Sequence, residues 1–247
     1  MIMQRLSTKP FAVIGHRGAA GIYVENTLKS ISYAISIGVD IVEIDVRQTM
    51  DGELVVFHDE DLTRLAGINK KIRDLTYDWI IENIRLDGET IPKLVDVLET
   101  INGRTGLFIE IKEPETTKKI IEILKNTYHE FIGDTALISF HDDALINAKK
   151  LYPRIITGLI YYKPPGRIID AKKMKCEIVL PHYRLATAKA IGFAHRLGLK
   201  VVAWTVNEIN TVFKLYKSNI DGVATDYPDK IIDIRKKIME STQSGVL

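Results

Sequence analysis

The sequence has a single cysteine, Cys176, and no long apolar run. One cysteine cannot form a disulfide within the chain or supply a multi-cysteine metal site, and it is typical of a reducing compartment. No apolar stretch approaches the roughly 18 residues of a membrane-spanning helix, and the segment from Met1 to Pro10 contains no apolar core. We therefore expect a soluble, cytoplasmic protein with no stable membrane insertion.

An excess of one charge is also missing, because 34 basic residues face 32 acidic residues and the net charge is +2. This balance argues against broad electrostatic binding to nucleic acid. Three short basic clusters remain, and runs of this length usually form solvated faces rather than sites for lipid headgroups. They lie at residues 70–73, 172–175 and 235–237.

What is present is an alternation of apolar strands with amphipathic helices. The 247 residues, 46% of them hydrophobic, can bury a large core and suit either one α/β barrel or two small domains. Eight strand-helix units are found, and their strands begin at Phe11, Ile41, Leu107, Thr135, Ile155, Glu177, Lys200 and Asp221. The sequence therefore predicts an α/β protein with a single (β/α)8 TIM barrel over residues 1–247.

One segment departs from this regularity. A turn at residues 50–53 joins the second strand to the apolar run 54–57 as a hairpin, and residues from about 60 to 91 are more charged and less regular. We interpret this segment as a small insertion after strand two, on the barrel face where active sites are built. Regularity returns at Pro92, which is predicted to open a helix, and the chain is predicted to end in a frayed tail from Ser241.

Two carboxylates interrupt the apolar, β-branched run at residues 41–46. Such a run is typical of a buried strand, where side chains two positions apart share a face. Glu43 and Asp45 are therefore predicted to lie together at low dielectric, where they need protons or a cation. The alternative is a strand that turns both acids to solvent. Glu110 and Lys112 repeat the spacing on strand three, either within a site or as a structural ion pair.

In a barrel, the residues at the downstream ends of all strands face one rim. The polar and aromatic residues there are His16, Arg17, Glu43, Asp45, His58, Asp59, Glu110, Lys112, Trp204, Asn207, Thr225 and Asp226. Three carboxylates without a cysteine partner favour a hard divalent cation such as Mg, Ca or Mn over structural zinc. The predicted metal ligands are Glu43, Asp45 and Glu110.

Two histidines at one rim can act as general base and general acid near neutral pH. We assign these roles to His16 and His58, although a lone histidine is more often structural and His58 is also a candidate metal ligand. The predicted substrate-binding residues are Arg17, Lys112 and Trp204, and the two cations suit an anionic substrate in phosphoryl-oxygen cleavage. Structural roles are assigned to the other four histidines, His129, His141, His182 and His195.

Seven short motifs lie in order between residues 14 and 228: His16-Arg17-Gly18, Glu25-Asn26-Thr27, Glu43-x-Asp45, His58-Asp59, Glu110-x-Lys112, Trp204-Thr205-x-Asn207 and Thr225-Asp226-x-Pro228. Together they resemble the glycerophosphodiester phosphodiesterases. The resemblance implies a barrel enzyme that uses a divalent cation to hydrolyse glycerophosphodiesters to sn-glycerol 3-phosphate and an alcohol.

The resemblance also implies roles for individual residues. The three acids hold the cation, His16 and His58 carry protons, and Arg17 and Lys112 grip the phosphate. In the family's proposed route, a neighbouring glycerol hydroxyl attacks phosphorus and water opens the resulting cyclic phosphate. The sequence departs from the family pattern in two places. Val24 stands where the family often has proline, and the insertion is short, so the resemblance does not indicate which alcohol is released.

Two other functions fit parts of the pattern. A lysophospholipase D-like enzyme would keep the rim and add an apolar channel, for which Tyr161, Tyr162, Pro164 and Pro165 offer either a membrane-facing lip or ordinary rim packing. A silent barrel that only binds phosphoesters would lack a catalytic residue, and none is missing. The expected partner is therefore a small glycerophosphodiester.

Overall fold

The computed structural model describes residues 1–243. The strands in this part of the chain are β1 (Ala12–Gly15), β2 (Ile41–Gln48), β3 (Leu54–Val56), β4 (Asp61–Leu62), β5 (Ile68–Lys71), β6 (Gly106–Ile111), β7 (Thr135–Ser139), β8 (Ile156–Tyr161), β9 (Ile178–Pro181), β10 (Lys200–Ala203) and β11 (Gly222–Thr225). Strands β1, β2 and β6 to β11 form a parallel sheet that closes on itself, because β1 pairs with both β11 and β2. The predicted (β/α)8 barrel is confirmed.

Helices alternate with the barrel strands, and most of them pack against the outside of the sheet. The helices within residues 1–243 are α1 (Ile2–Arg5), α2 (Leu28–Ser36), α3 (Thr63–Ala66), α4 (Tyr77–Asn83), α5 (Leu94–Ile101), α6 (Thr117–Thr127), α7 (Asp142–Leu151), α8 (Ile168–Lys173), α9 (Ala188–Arg196), α10 (Ile209–Lys217) and α11 (Pro228–Gln243). Short 3-10 helices occupy Ile72–Asp74, Pro114–Thr116, His129–Asp134 and Tyr183–Leu185. Threonine caps explain two of the helix starts: the hydroxyl of Thr27 accepts from the N–H of Ser30, and that of Thr187 from the N–H of Ala190.

The apolar core has two layers, one on each side of the closed sheet. Strand side chains alternate between faces, so every second residue points into the barrel and the others meet the helices. The inner layer includes Ala12, Ile14, Ile41, Phe108, Ile138, Ile160, Ile178, Leu180, Val202 and Ala224. The outer layer includes Val13, Val42 and Ile109 with helix residues such as Ile31, Leu98 and Ile120. Each fully buried aliphatic or aromatic side chain contributes roughly 1.5–3 kcal/mol by leaving water.

A short helix that the sequence did not predict, α1, packs at the end of the barrel where the strands begin. Ile2 and Leu6 are fully buried among inner-layer residues that include Phe108. Gly106 makes this approach possible, since a Cβ at that position would lie 2.7 Å from Cδ1 of Ile2. One helical turn is too short to show a periodicity of 3.6 residues, and this explains why it was missed.

Pro92 does not open a helix, which corrects the predicted boundary. Its carbonyl accepts a hydrogen bond from the N–H of Val56 at 2.9 Å, so the residue continues an extended segment beside β3. Helix α5 begins at Leu94, where the carboxylate of Asp96 accepts from the N–H of Lys93 at 2.9 Å. The acidic residue in the first turn fixes the start of this helix.

The predicted frayed tail from Ser241 is wrong for its first three residues. Helix α11 continues to Gln243, and the hydroxyl of Ser241 donates to the carbonyl of Lys237 within that helix at 2.9 Å. The rest of the predicted tail, residues 244–247, lies outside the described residues.

Residues 60–91, interpreted as an insertion, form β4, α3, β5, a 3-10 turn and α4. Together with Val55 of β3 and Phe57 they form a separate apolar cluster, whose other members include Leu62, Ile72, Leu75, Ile80, Ile84, Leu86 and Ile91. The cluster is tied to the β2–β3 hairpin, because the N–H of Met50 donates to the carbonyl of Leu75 at 2.8 Å. The hairpin and this segment together place His58 at the rim of the barrel.

The segment after β8 bears on the suggested membrane-facing lip. Tyr161 is buried in the outer apolar layer, whereas Tyr162, Pro164 and Pro165 are exposed. Tyr161 is therefore a core residue and not part of a surface lip. No helix within residues 1–243 is long and apolar enough to span a membrane.

Candidate active site

The inward positions of the barrel strands change from apolar to acidic near the rim. On β2, Ile41 is followed by Glu43 and Asp45 on the same face, and on β6 Phe108 is followed by Glu110. The register pairs Asp45 with Glu110 on the neighbouring strand. The side chains of all three acids are buried, so the alternative of solvent-facing carboxylates on β2 is wrong.

The three carboxylates form one cluster. Glu43, Asp45 and Glu110 each offer an oxygen, and these oxygens lie within 4.8 Å of one another. Oδ2 of Asp45 accepts a hydrogen bond from Nδ2 of Asn26 at 2.9 Å, but Oδ1 is buried without one. A buried carboxylate oxygen without a donor is costly unless a proton or a cation meets it. An all-oxygen set of this kind fits a hard divalent cation.

Burial and charged neighbours shift the pKa of each acid. Burial raises the pKa of Glu43 to about 8 and that of Glu110 to about 7, and the charge of Asp45 adds to both shifts. Burial would also raise the pKa of Asp45, but Lys112 and Arg17 outweigh it and hold that pKa well below its usual range. The cluster is therefore short of positive charge, which a bound cation would supply.

Each of the two rim histidines pairs with an aspartate. Nδ1 of His16 lies 2.6 Å from Oδ1 of Asp226, and Nδ1 of His58 lies 2.6 Å from Oδ1 of Asp59. Asp226 is in turn held by Nδ2 of Asn207 at 2.7 Å. An ionised carboxylate only accepts hydrogen bonds, so Nδ1 carries the proton and Nε2 is left for acid or base chemistry. Burial lowers the pKa of His58.

The two cations of the site have different surroundings. Nη1 of Arg17 lies 2.7 Å from Oε1 of Glu25, while its buried Nε makes no hydrogen bond and lies 3.3 Å from Oδ2 of Asp45. Nζ of Lys112 lies 2.6 Å from Oε1 of Glu110 and 3.4 Å from Oδ1 of Asp45. Both cations therefore compensate carboxylates of the site, and Arg17 also lines the cavity described next.

A cavity of about 390 Å³ opens onto these groups. Its polar lining residues are His16, Arg17, Glu43, His58 and Glu110. Its apolar lining residues, which together form its apolar wall, are Phe108, Ile138, Phe140, Ile160, Tyr162, Leu180, Trp204 and Ala224. A ligand that fills the cavity therefore meets both charged groups and apolar side chains.

Trp204 belongs to this apolar wall. Its indole N–H donates to the carbonyl of Leu180 at 2.7 Å, so the ring and not the N–H is presented to the cavity. Edge-to-face contacts hold the ring, with centroids 5.5 Å from Phe140 and 5.7 Å from His182. His182, assigned a structural role from the sequence, supports the cavity wall through this contact.

The structure brings the predicted site residues together. His16, Arg17, Glu43, His58, Glu110 and Trp204 line the cavity, and Asp45 and Lys112 contact members of that set. Sequence patterns predict no role for Asp226, Asn207, Glu25 or Asn26, although each stands in one of the motifs. The wall residues Phe140 and Tyr162 were missed as cavity residues, and the alternation along β7 and β8 was the signal that would have found them.

Known proteins resemble this chain over most of its length. A family model for the glycerophosphoryl diester phosphodiesterase family matches residues 16–230. A glycerophosphodiester phosphodiesterase from Bacillus altitudinis is 31% identical over 249 residues, which cover 94% of this chain and 99% of that protein. Lysophospholipase D GDPD1 from Homo sapiens is 26% identical over 265 residues, which cover 89% of this chain and 84% of that protein.

A solved structure agrees with these sequence matches. The structure of a phosphodiesterase from Oleispira antarctica in complex with the product sn-glycerol-3-phosphate superposes with a TM-score of 0.81 at 31% identity, and the match covers 90% of this chain and 96% of that chain. The chain belongs to the glycerophosphoryl diester phosphodiesterase family, and its enzyme class is that of the phosphoric diester hydrolases.

Proposed function

We propose that this protein, acting as one domain over residues 1–247, hydrolyses glycerophosphodiesters to sn-glycerol 3-phosphate and an alcohol with a divalent cation as cofactor. The observation that carries the proposal is the meeting of two His–Asp pairs and a three-carboxylate cluster at one cavity. The family membership and the product bound in the Oleispira antarctica structure support the same class of substrate.

Glu43, Asp45 and Glu110 would hold the cation. Their buried oxygens, and in particular Oδ1 of Asp45, which accepts no hydrogen bond, suit Mg, Ca or Mn. When bound, such a cation supplies Lewis-acid polarisation of a phosphoryl oxygen. Asn26 orients the ligand set, because its Nδ2 donates to Oδ2 of Asp45 and its Oδ1 accepts from the N–H of Asp45 at 3.3 Å.

Arg17 would bind the phosphate. Its side chain lines the cavity, is held by Glu25, and keeps a buried Nε that no acceptor satisfies. The backbone N–H of Arg17 donates to Oε2 of Glu43 at 2.9 Å, which fixes the loop after β1 against the acidic cluster. Lys112 compensates the negative charge of the acidic cluster through its contacts with Glu110 and Asp45.

His16 and His58 would move the protons. Nε2 of one histidine removes the proton from the attacking oxygen, which belongs to water or to a neighbouring glycerol hydroxyl. The other histidine, protonated, gives its Nε2 proton to the departing alkoxide as the phosphorus–oxygen bond breaks. Asp226 and Asp59 stabilise whichever imidazole becomes positively charged, because each accepts from Nδ1.

The apolar wall favours a second candidate function. Phe140, Tyr162 and Trp204 form a continuous aromatic surface beside the polar groups, with Phe140 contacting both of the other rings. Such a surface suits the hydrocarbon part of a lysophospholipid. A lysophospholipase D-like activity would use the same carboxylates and histidines and would release the headgroup alcohol.

A direct comparison of substrates tests the proposal. The protein with Mg, Mn or Ca is given glycerophosphocholine, glycerophosphoethanolamine, a lysophosphatidylcholine below its critical micelle concentration, and a diacyl phosphatidylcholine. We expect sn-glycerol 3-phosphate from the first two and no turnover of the diacyl lipid. Cleavage of the lysolipid alone supports the second candidate. Binding of sn-glycerol 3-phosphate without turnover of any substrate would show a silent phosphoester-binding barrel.

A further inference from the structure

Arg64 lies on α3, the short helix of residues 60–91, and its guanidinium contacts two carboxylates. Nη1 and Nη2 lie 2.9 and 2.6 Å from the two oxygens of Glu25. Nε lies 2.6 Å from Oδ2 of Asp59. Three nitrogens of one planar group are therefore engaged at the same time, which only the arginine fork allows.

Each of these carboxylates also holds a residue of the cavity. Oε1 of Glu25, which receives Nη2 of Arg64, lies 2.7 Å from Nη1 of Arg17. The oxygens of Asp59 are divided, because Oδ2 faces Arg64 while Oδ1 lies 2.6 Å from Nδ1 of His58. A continuous chain of charged contacts thus runs from the phosphate-facing arginine to one of the two histidines, with Arg64 at its centre.

The simpler interpretation is an ordinary surface ion pair. The Arg64 side chain is 48% exposed, and exposed pairs contribute little to stability. Its partners are different, because Glu25 is only 13% exposed and Asp59 24%. This segment has a separate source of stability in the apolar cluster that it forms with Val55 and Phe57. Loss of Arg64 would therefore free two partly buried carboxylates without removing core packing.

We propose that Arg64 is a positioning residue for the reaction, which orients Arg17 through Glu25 and His58 through Asp59. The inference rests on the proposed function of the site. It also gives residues 60–91 a role, since α3 connects the loop after β1 with the segment that carries His58. Without Arg64, Glu25 retains one cationic partner and Asp59 is free to turn away from the imidazole. A displacement of about 1 Å at reacting groups can cost 10²-fold in rate.

The first test measures kcat and KM for glycerophosphocholine in three variants. Arg64→Ala should lower kcat/KM by about 10- to 100-fold, with a fall in kcat and a rise in KM. Arg64→Lys keeps the positive charge but not the planar guanidinium. Its loss of log kcat/KM should therefore be more than about half of the loss in Arg64→Ala. Arg73→Ala is the matched control, because Arg73 lies in the same segment and makes only 4.0 Å contacts with Glu60 and Asp74. It should stay within about twofold of wild type.

Two further variants separate the contact with Arg17 from the contact with His58. Glu25→Gln weakens the contact between Glu25 and Arg17 and should raise KM more than it lowers kcat. Asp59→Asn weakens the contact between Asp59 and His58 and should lower kcat more than it raises KM. Arg64→Ala should show both effects. A purely structural role would lower the amount of active enzyme and leave KM unchanged.

A second readout is coupling to His58. Once His58→Ala has removed the imidazole, adding Arg64→Ala should lower kcat by less than about threefold, while the rise in KM persists. Loss of folded protein would instead reduce kcat by the same factor in both backgrounds. Thermal melting of each variant confirms that the comparison is made between folded proteins.

Unchanged kinetics in folded Arg64→Ala, or equal losses of kcat in both His58 backgrounds, would overturn the inference while the proposed function stands. A wild-type protein that hydrolyses no glycerophosphodiester in any of the three cations would overturn the proposed function and this inference with it.

Discussion

Nδ1 of His16 lies 2.6 Å from Oδ1 of Asp226, a residue 210 positions away in the sequence. The pair joins the ends of β1 and β11, the first and last strands of the closed barrel, which are in register from Ala12 with Gly222 to Gly15 with Thr225. Closure of the barrel thus supplies the partner that fixes this imidazole. The proposed proton transfers depend on this pair and on the matching pair of His58 with Asp59.

The first prediction concerns the two histidines. His16→Ala and His58→Ala should each lower kcat for glycerophosphocholine by at least about 10²-fold, because general acid and general base contribute about 10²- to 10⁴-fold each. The double variant should be much less than multiplicatively worse, since both act in one step. The measurement is steady-state release of sn-glycerol 3-phosphate by folded, cation-loaded protein.

His195→Ala provides the matched control. His195 forms the same kind of pair, with Nε2 at 2.7 Å from Oδ2 of Asp221. It lies in α9, its partner directly precedes β11, and it does not line the cavity. Its kcat should stay within about twofold of wild type. If His16→Ala or His58→Ala kept more than about a tenth of wild-type kcat, that histidine would carry no obligatory proton transfer.

The second prediction concerns the partner of His16. Asp226→Asn keeps the size of the side chain but removes the charge, and an amide can donate to Nδ1 and so favour the wrong tautomer. We expect kcat to fall by about 10- to 10³-fold with KM little changed. Asn207→Ala, which removes only the support of Asp226, should have a smaller effect on kcat. Equal rates for Asp226→Asn and wild type would show that the pair does not serve catalysis.

The third prediction concerns the competition between a bound cation and the protons on Glu43 and Glu110. The pKa of Glu43 is raised from 4.5 to about 8 and that of Glu110 from 4.5 to about 7, with burial as the largest cause. Folded, cation-free protein therefore keeps protons there that the unfolded chain has lost, so this contribution to stability is complete below pH 4.5 and is lost between pH 4.5 and 8. A cation must displace these protons at low pH.

Calorimetry in buffers of different ionisation enthalpy checks this expectation. Binding of Mn²⁺ should release about two protons near pH 5.5 and almost none above pH 8.5, with affinity rising over that range. The cation should also raise the melting temperature more at pH 8 than at pH 5.5. Glu43→Gln should reduce the proton release by about one. An affinity that does not depend on pH would place the cation elsewhere.

The fourth prediction uses the two tryptophans of the chain, Trp79 and Trp204. Trp204 lines the cavity, whereas Trp79 lies in α4 with Nζ of Lys70 at 4.8 Å from its ring. In Trp79→Phe the remaining fluorescence reports on the cavity wall, so sn-glycerol 3-phosphate should change the emission. In Trp204→Phe the same titration should leave the emission unchanged. A response from Trp79 alone would place the ligand outside the cavity.

Much of the fold followed from the sequence, because period-two and period-3.6 patterns report directly on burial. Glu43 and Asp45 were placed on one buried face for this reason. Helix α1 was missed, because four residues carry no periodic signal and the burial of Ile2 depends on where the barrel ends. Pro92 was placed in a helix by local preference, but the pairing of its carbonyl with Val56 decided the boundary.

The residues of the candidate site could be predicted from the sequence, but the contacts between them could not. Residues at the downstream ends of barrel strands reach the rim, so His16, His58 and Glu110 could be assigned to the site from their positions after predicted strands. Which residues they touch depends on strand register and loop conformation, and the pairing of Asp226 with His16 is of this kind. Lys112 is predicted to bind the substrate, and spacing alone does not reveal that its amino group also lies 2.6 Å from Oε1 of Glu110.

The most direct test of the account is the dependence of sn-glycerol 3-phosphate release on a divalent cation. Wild-type protein is treated exhaustively with a chelator, assayed with glycerophosphocholine, and assayed again after addition of Mg²⁺, Mn²⁺ or Ca²⁺, with Asp45→Asn carried through the same steps. We predict that turnover is lost on chelation, returns with a cation in the wild type, and does not return in the variant, because Asp45 supplies the buried oxygen of the cluster that accepts no hydrogen bond. Full activity after complete removal of the cation would contradict the account.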